Sequence, residues 1–119
     1  MRTIVQRCRS YGESHVTPAL EVFRPLFEET IRAGDRVVLK PNWPAHRHKY
    51  RPDEWRSAIT APEIITAVLG MVLECLGGRG EVVITDGPQT DSSWDGSCAA
   101  WNQIGGWKPG GNAEFECPC

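Results

Sequence analysis

Apolar residues in this chain gather in short blocks, with Gly, Pro and charged residues between them. In residues 17–34, Leu20, Phe23, Phe27 and Ile31 recur at three- and four-residue steps, the spacing of one buried helix face. Thr17 is placed to cap this helix and Pro18 to fill its first position. Pro25 has no amide proton and clashes with the turn before it, so the pattern predicts a kink there or two short helices. Gly34 reads as the stop. Ahead of this block, residues 3–7 read as a short first strand.

Residues 35–42, DRVVLKPN, switch period. Val37, Val38 and Leu39 are consecutive, which predicts a strand covered on both faces. Pairing should end near Lys40, because Pro41 cannot donate to a ladder. Residues 42–59 form a long polar loop, of a length that often carries function. Thr60 and Glu63 then have the spacing of a capping box. The helix they open runs to about Leu76 and is apolar except for a stripe of Glu63, Thr66, Gly70 and Glu74, so it should be largely buried. The Gly-rich turn at 77–80 ends it, and residues 81–85, EVVIT, read as a second buried strand.

Strand, loop, helix, turn, strand is a βαβ unit, so the predicted class is α/β with a parallel βαβ-based sheet. Ligands of such sheets gather at the carboxyl ends of the strands. Here those ends are Lys40-Pro41-Asn42 and Thr85-Asp86-Gly87, which topology places on one edge. After about Asp95 the periodicity lapses. The stretch GSCAAWNQIGGWKPGGNAEFECPC predicts neither a third strand nor a closing helix. The chain thus divides into a partial α/β domain over 1–94 and an irregular tail over 95–119, and it reads as a fragment of a larger α/β domain.

Bulk properties narrow the class. A length of 119 residues has room for one domain. A formal charge of −2, from 13 basic and 15 acidic residues, argues against a general nucleic-acid binder. The longest mainly apolar stretch, residues 64–76, is short of the roughly 20 residues a bilayer needs. The start MRTIVQRCRSYGES lacks the apolar region of a secretory signal, so a cytoplasmic location with no membrane partner is the expectation. Cysteine usage agrees. The count of five is odd and Cys75 lies in an apolar helical run, unlike a secreted disulfide framework. Cys8 and Cys75 should be reduced thiols.

Candidate chemistry concentrates in LKPNWPAHRHKY and its surroundings. Residues 36–52 carry Arg36, Lys40, Arg47, Lys49 and Arg51 with His46 and His48 and no acid. Lys40, at a strand end, can hold a phosphate or carboxylate as a point charge. The amides opening the helix after Thr60 could assist, since helix N-termini favour anions. His46 and His48 with Asp86 and Asp91 are a candidate metal set, although the neighbouring cations oppose a metal ion. Asp86-Gly87-Pro88-Gln89 ends the second strand; Asp86 there suits a base or hydroxyl acceptor and equally a turn. The spacing of Cys117-Pro118-Cys119 matches neither ferredoxin nor zinc-knuckle patterns.

Three segments taken together, GDRVVLKPNW, ITAPEIITAVL and VVITDGP, resemble the N-terminal part of a bacterial and archaeal domain-of-unknown-function family, number 362. The resemblance spans residues 34–94. It implies an α/β fold longer than this chain, and matches it at Lys40, Pro41, Asn42, Thr60, Pro62, Asp86 and Pro88. Some members add a ferredoxin-like iron–sulfur segment, whose cysteine pattern this sequence lacks. The resemblance implies positions and no mechanism.

The leading expectation is an anionic small-molecule site in which Lys40 holds the anion, Asn42, Thr60 and Gln89 orient it, and Asp86 serves as acid/base or metal ligand. Lys40 and Asp86 are the candidate catalytic pair, with reaction type and cofactor left open. A metal or iron–sulfur-related redox module using His46, His48 and Asp86, with the terminal cysteines Cys117 and Cys119 as further candidates, is the first alternative. The second is a non-autonomous fragment that acts through a partner, or self-associates, at an open sheet edge.

Overall fold

The computed structural model describes residues 3–42, 50–51, 54 and 59–86, together with the backbone of 113–115. Helix α1 spans Glu13–Leu20, a 3-10 turn spans Glu21–Phe23, and helix α2 spans Arg24–Thr30. Pro25 thus yields two short helices. It sits in the first turn of α2, where its missing amide proton would have had no partner. The tighter turn before it carries the chain across the break.

Two local expectations are corrected here. Helix α1 starts at Glu13, not at Thr17, and Pro18 lies inside it. Gly12 is the N-cap, its carbonyl accepting the amides of His15 at 2.8 Å and Val16 at 3.0 Å. Ser10 braces the start: its Oγ accepts the Gly12 amide at 3.2 Å and lies 2.8 Å from His15 Nδ1. Residues 3–7 form no strand, and Val5 is exposed, so local β-propensity without a pairing partner was insufficient there.

Strand β1 spans Arg36–Leu39, helix α3 Pro62–Leu76, strand β2 Glu81–Ile84 and strand β3 Ala113–Phe115. The sheet order is β1-β2-β3. Strands β1 and β2 pair in parallel from Arg36↔Glu81 to Leu39↔Ile84, so the α/β class and the parallel βαβ unit hold. Strand β3 corrects the expectation for residues 95–119, which included no third strand: Val82↔Ala113 to Ile84↔Phe115 is a parallel ladder. Three residues set between Asn112 and Glu116 are too few for a periodic signal.

The core lies between α3 and one face of the sheet. Ile65, Leu69, Val72 and Leu76 meet Val82 and Ile84, with Phe27 and Ile31 of the α2 region packed around them. Each such buried side chain contributes about 1.5–3 kcal/mol of transfer free energy. Helix α1 packs on the opposite flank of α3 and buries Val16.

Strand β1 departs from the both-faces expectation. Arg36 and Val38 are exposed and only Val37 and Leu39 turn toward the core, whereas β2 has Val82, Val83 and Ile84 all buried. The cause is position. Strand β1 is at the sheet edge and β2 is central.

The amino ends of both strands are tied together. Gly34 donates to the Arg79 carbonyl at 2.9 Å, and Glu81 donates to the Asp35 carbonyl at 3.0 Å. Gly80 closes this corner with φ of 121°, in a position where a Cβ would overlap the Asp35 carbonyl oxygen. Helix α3 ends at Gly77, whose φ of 59° and ψ of 36° form a left-handed cap.

Candidate functional site at the carboxyl edge of β1 and β2

The parallel ladder brings the sequence candidates together at one edge. Its last step is the Thr85 amide donating to the Leu39 carbonyl at 3.0 Å. Just past it, Lys40 Nζ lies 2.5 Å from Asp86 Oδ1. The partners are unequally placed: the Lys40 side chain is 69% exposed and that of Asp86 9%. The carboxylate therefore lies inward and the ammonium faces out. An ammonium has three donors, and Asp86 Oδ1 takes one of them.

Thr60 has a different job from the one its spacing suggested. Ala61 is the N-cap of α3 and no side chain caps the helix, so the capping box with Glu63 does not form. Instead, Thr60 Oγ1 accepts the Asn42 amide at 2.8 Å, and the Thr60 amide donates to the Asn42 carbonyl at 2.9 Å. This clasp joins the two ends of the 42–59 crossover. A competing donor at the strand exit has captured the capping hydroxyl. Because Oγ1 acts there as an acceptor, its own proton remains available for donation.

Beside the clasp is an open pocket of 230 Å³, lined by Val38, Leu39, Lys40, Pro41, Thr60, Ile64, Ile65 and Val68. One wall is the end of β1 and the other is the first turns of α3. Lys40 and Thr60 supply its polar side chains.

The start of α3 contributes less to anion binding than its position suggested. Pro62 has no amide proton, and the Ile64 and Ile65 amides both donate to the Ala61 carbonyl, at 3.0 and 3.3 Å. Glu63 adds a carboxylate in the first turn. It faces a second groove of 480 Å³ between α1 and α3, which Glu13, Glu21, Arg24 and Glu74 also line.

Arg24 dominates that second groove. Its guanidinium donates to Glu21 at 2.6 and 2.8 Å and lies 2.8 Å from Glu74 of α3. The hydrogen bond to Glu21 is the main reason that the Arg24 pKa is raised, with Glu74 adding to it. The same bond holds the Glu21 carboxyl below its ordinary value. Sequence reasoning placed Glu74 on the polar stripe of α3 but missed Arg24 as the link. The three-residue step from Glu21 to Arg24 was the available signal.

His46, His48, Gln89 and Asp91 lie outside the described residues. Among the described residues, no group of three or more His, Cys, Asp or Glu side chains could hold a metal ion. Cys8 and Cys75 are free thiols. No described helix is long and apolar enough to cross a membrane. Compared with family models, curated proteins and solved structures, the chain finds no match in any of the three.

Proposed function

We propose that the carboxyl edge of β1 and β2 binds an anionic small molecule, with Lys40 as the cation that holds it and Asp86 as the group that positions Lys40. The observation that carries this reading is an outward ammonium tethered by an inward carboxylate, next to a Thr60 hydroxyl with a proton to donate. A tethered lysine loses less side-chain freedom when a ligand arrives than an untethered one would. Asn42 acts through its main chain, by fixing where the Thr60 hydroxyl sits. Asp86 has a second capacity: hydrogen-bonded to Lys40, it could exchange a proton with a ligand that displaces the ammonium.

Further support comes from the resemblance to family 362, since its matching positions Lys40, Pro41, Asn42, Thr60 and Asp86 all converge on this edge. Free thiols at Cys8 and Cys75 support a reducing, cytoplasmic setting.

Calorimetric titration with acetate and inorganic phosphate tests the reading. Lys40→Met is expected to weaken the tighter of these anions about tenfold or more, and Thr60→Val several-fold, in line with the loss of a charge-assisted and a neutral hydrogen bond. Binding that is unchanged in folded Lys40→Met protein would sink the proposal.

A further inference from the structure

We infer that the ligand of this edge is amphiphilic: a carboxylate carrying a short aliphatic chain, with its head at Lys40 and Thr60 and its chain along the wall formed by β1 and α3. The inference rests on the anion reading above and adds the chemical class.

Donor supply is the first argument. A phosphate has three terminal oxygens and is usually met by several main-chain amides or a guanidinium fork. Here the flanking segments offer few such amides, and the Glu63 amide shares the first turn of α3 with the Glu63 carboxylate. Pro41 and Pro62 have none, and the Ile64 and Ile65 amides are already committed to the Ala61 carbonyl. Lys40 Nζ and the Thr60 hydroxyl are the side-chain donors, and two donor groups suit the two oxygens of a carboxylate.

The second argument is the rest of the lining. Beyond Lys40 and Thr60, the pocket walls are Val38, Leu39, Pro41, Ile64, Ile65 and Val68. A fully hydrated inorganic ion gains nothing from such walls, whereas a hydrocarbon chain does. Ile64 and Val68 are only half-buried, so an aliphatic chain laid in the pocket would cover apolar surface that now meets water.

The third argument is polarity by position. Lys40, Pro41 and Thr60 belong to the strand exit and loop base, while Ile64 and Val68 are successive turns along one stripe of α3. The pocket therefore has a polar end and an apolar end, the arrangement an amphiphile requires.

The test is a homologous series. Acetate, butyrate and hexanoate are titrated calorimetrically, with inorganic phosphate as the control for a head without a chain. Full burial of a methylene corresponds to about a fourfold gain in affinity. In this open pocket the expected gain is roughly twofold to threefold per methylene, with hexanoate tighter than phosphate. Lys40→Met should weaken every member. Ile64→Thr, at a half-buried pocket position outside the core cluster, should weaken hexanoate several-fold more than acetate in protein whose urea midpoint shows it folded.

A flat series, or phosphate tighter than hexanoate, with both still dependent on Lys40, overturns the amphiphile and leaves the anion reading standing. A series that climbs identically in Lys40→Met overturns the anionic head, and with it both readings. No binding by any of the four compounds also overturns both.

Discussion

Asn42 and Thr60 hold each other in both directions. The Asn42 amide reaches Thr60 Oγ1 at 2.8 Å, and the Thr60 amide reaches the Asn42 carbonyl at 2.9 Å. The pair closes the crossover at its base, so the end of β1 and the start of α3 are set relative to one another by two short bonds. Thr60→Val keeps the shape and removes the side-chain acceptor. It should cost about 1 kcal/mol, the usual loss for one neutral hydrogen bond. Thr60→Ser, which keeps the hydroxyl, should lose clearly less. Urea denaturation midpoints at unchanged slope measure both. Equal losses would mean that the threonine methyl, not the hydroxyl, matters.

Lys40 and Asp86 should couple weakly but measurably. One partner is in solvent and the other is inward, so the pair belongs between a surface and a buried salt bridge. A double-mutant cycle with Lys40→Met and Asp86→Asn should give a coupling of roughly 0.5–1 kcal/mol, shrinking at high salt. A coupling indistinguishable from zero at low salt would remove the basis for treating Asp86 as the group that positions Lys40.

Two glycines should respond oppositely to alanine. Gly70 lies in the middle of α3, and a Cβ there meets nothing within 4 Å. Gly70→Ala should stabilise the protein by about 0.5–1 kcal/mol through helix propensity alone. Gly80 has φ of 121° and its Cβ would strike the Asp35 carbonyl oxygen, a backbone atom that bonds Glu81. Gly80→Ala should cost on the order of 2 kcal/mol or more, because both strain and a displaced strand entry contribute. Thermal unfolding of the two variants side by side decides the matter. A stabilised Gly80→Ala would show that the 34–36 and 79–81 corner is looser than its hydrogen bonds indicate.

Legibility in the sequence followed the range of the interactions. The βαβ unit was readable because apolar runs, Gly77 and Pro41 all speak locally for the same elements. The meeting of Lys40 with Asp86, across 46 positions, followed from it, since parallel strands in register must end together. What failed was decided by neighbours distant in sequence. Val38 looks like a buried strand residue until β1 proves to be an edge strand. Thr60 has cap spacing, yet the Asn42 amide wins its hydroxyl. The apolar wall of the pocket was equally hidden, because Ile64 and Val68 read as core in any helical projection. Residues 113–115 pair only because β2 offers them a free side.

The Arg24 cross-link should make stability depend on pH in the acid range. The guanidinium bond holds the Glu21 carboxyl below the 4.5 of an unperturbed glutamate. A depressed folded-state value means that the unfolded chain takes up the proton first as pH falls. The contribution of Glu21 is then fully present above about 4.5 and is lost as pH drops through the lower folded value. Arg24 keeps its charge throughout, its own pKa having moved further up, so it adds no slope of its own in this window. Glu21→Gln should therefore lower the melting temperature at neutral pH by a small amount, since the pair is solvent-exposed and screened. The gap to the unsubstituted protein should close as pH falls below 4.5. Arg24→Met should remove the Glu21-dependent part of that pH response, because the bond that depresses the carboxyl would be gone. Melting curves of the three proteins from neutral to acid pH give the answer. A gap that stays constant across the window would mean that Glu21 stabilises the helix junction by packing rather than by charge.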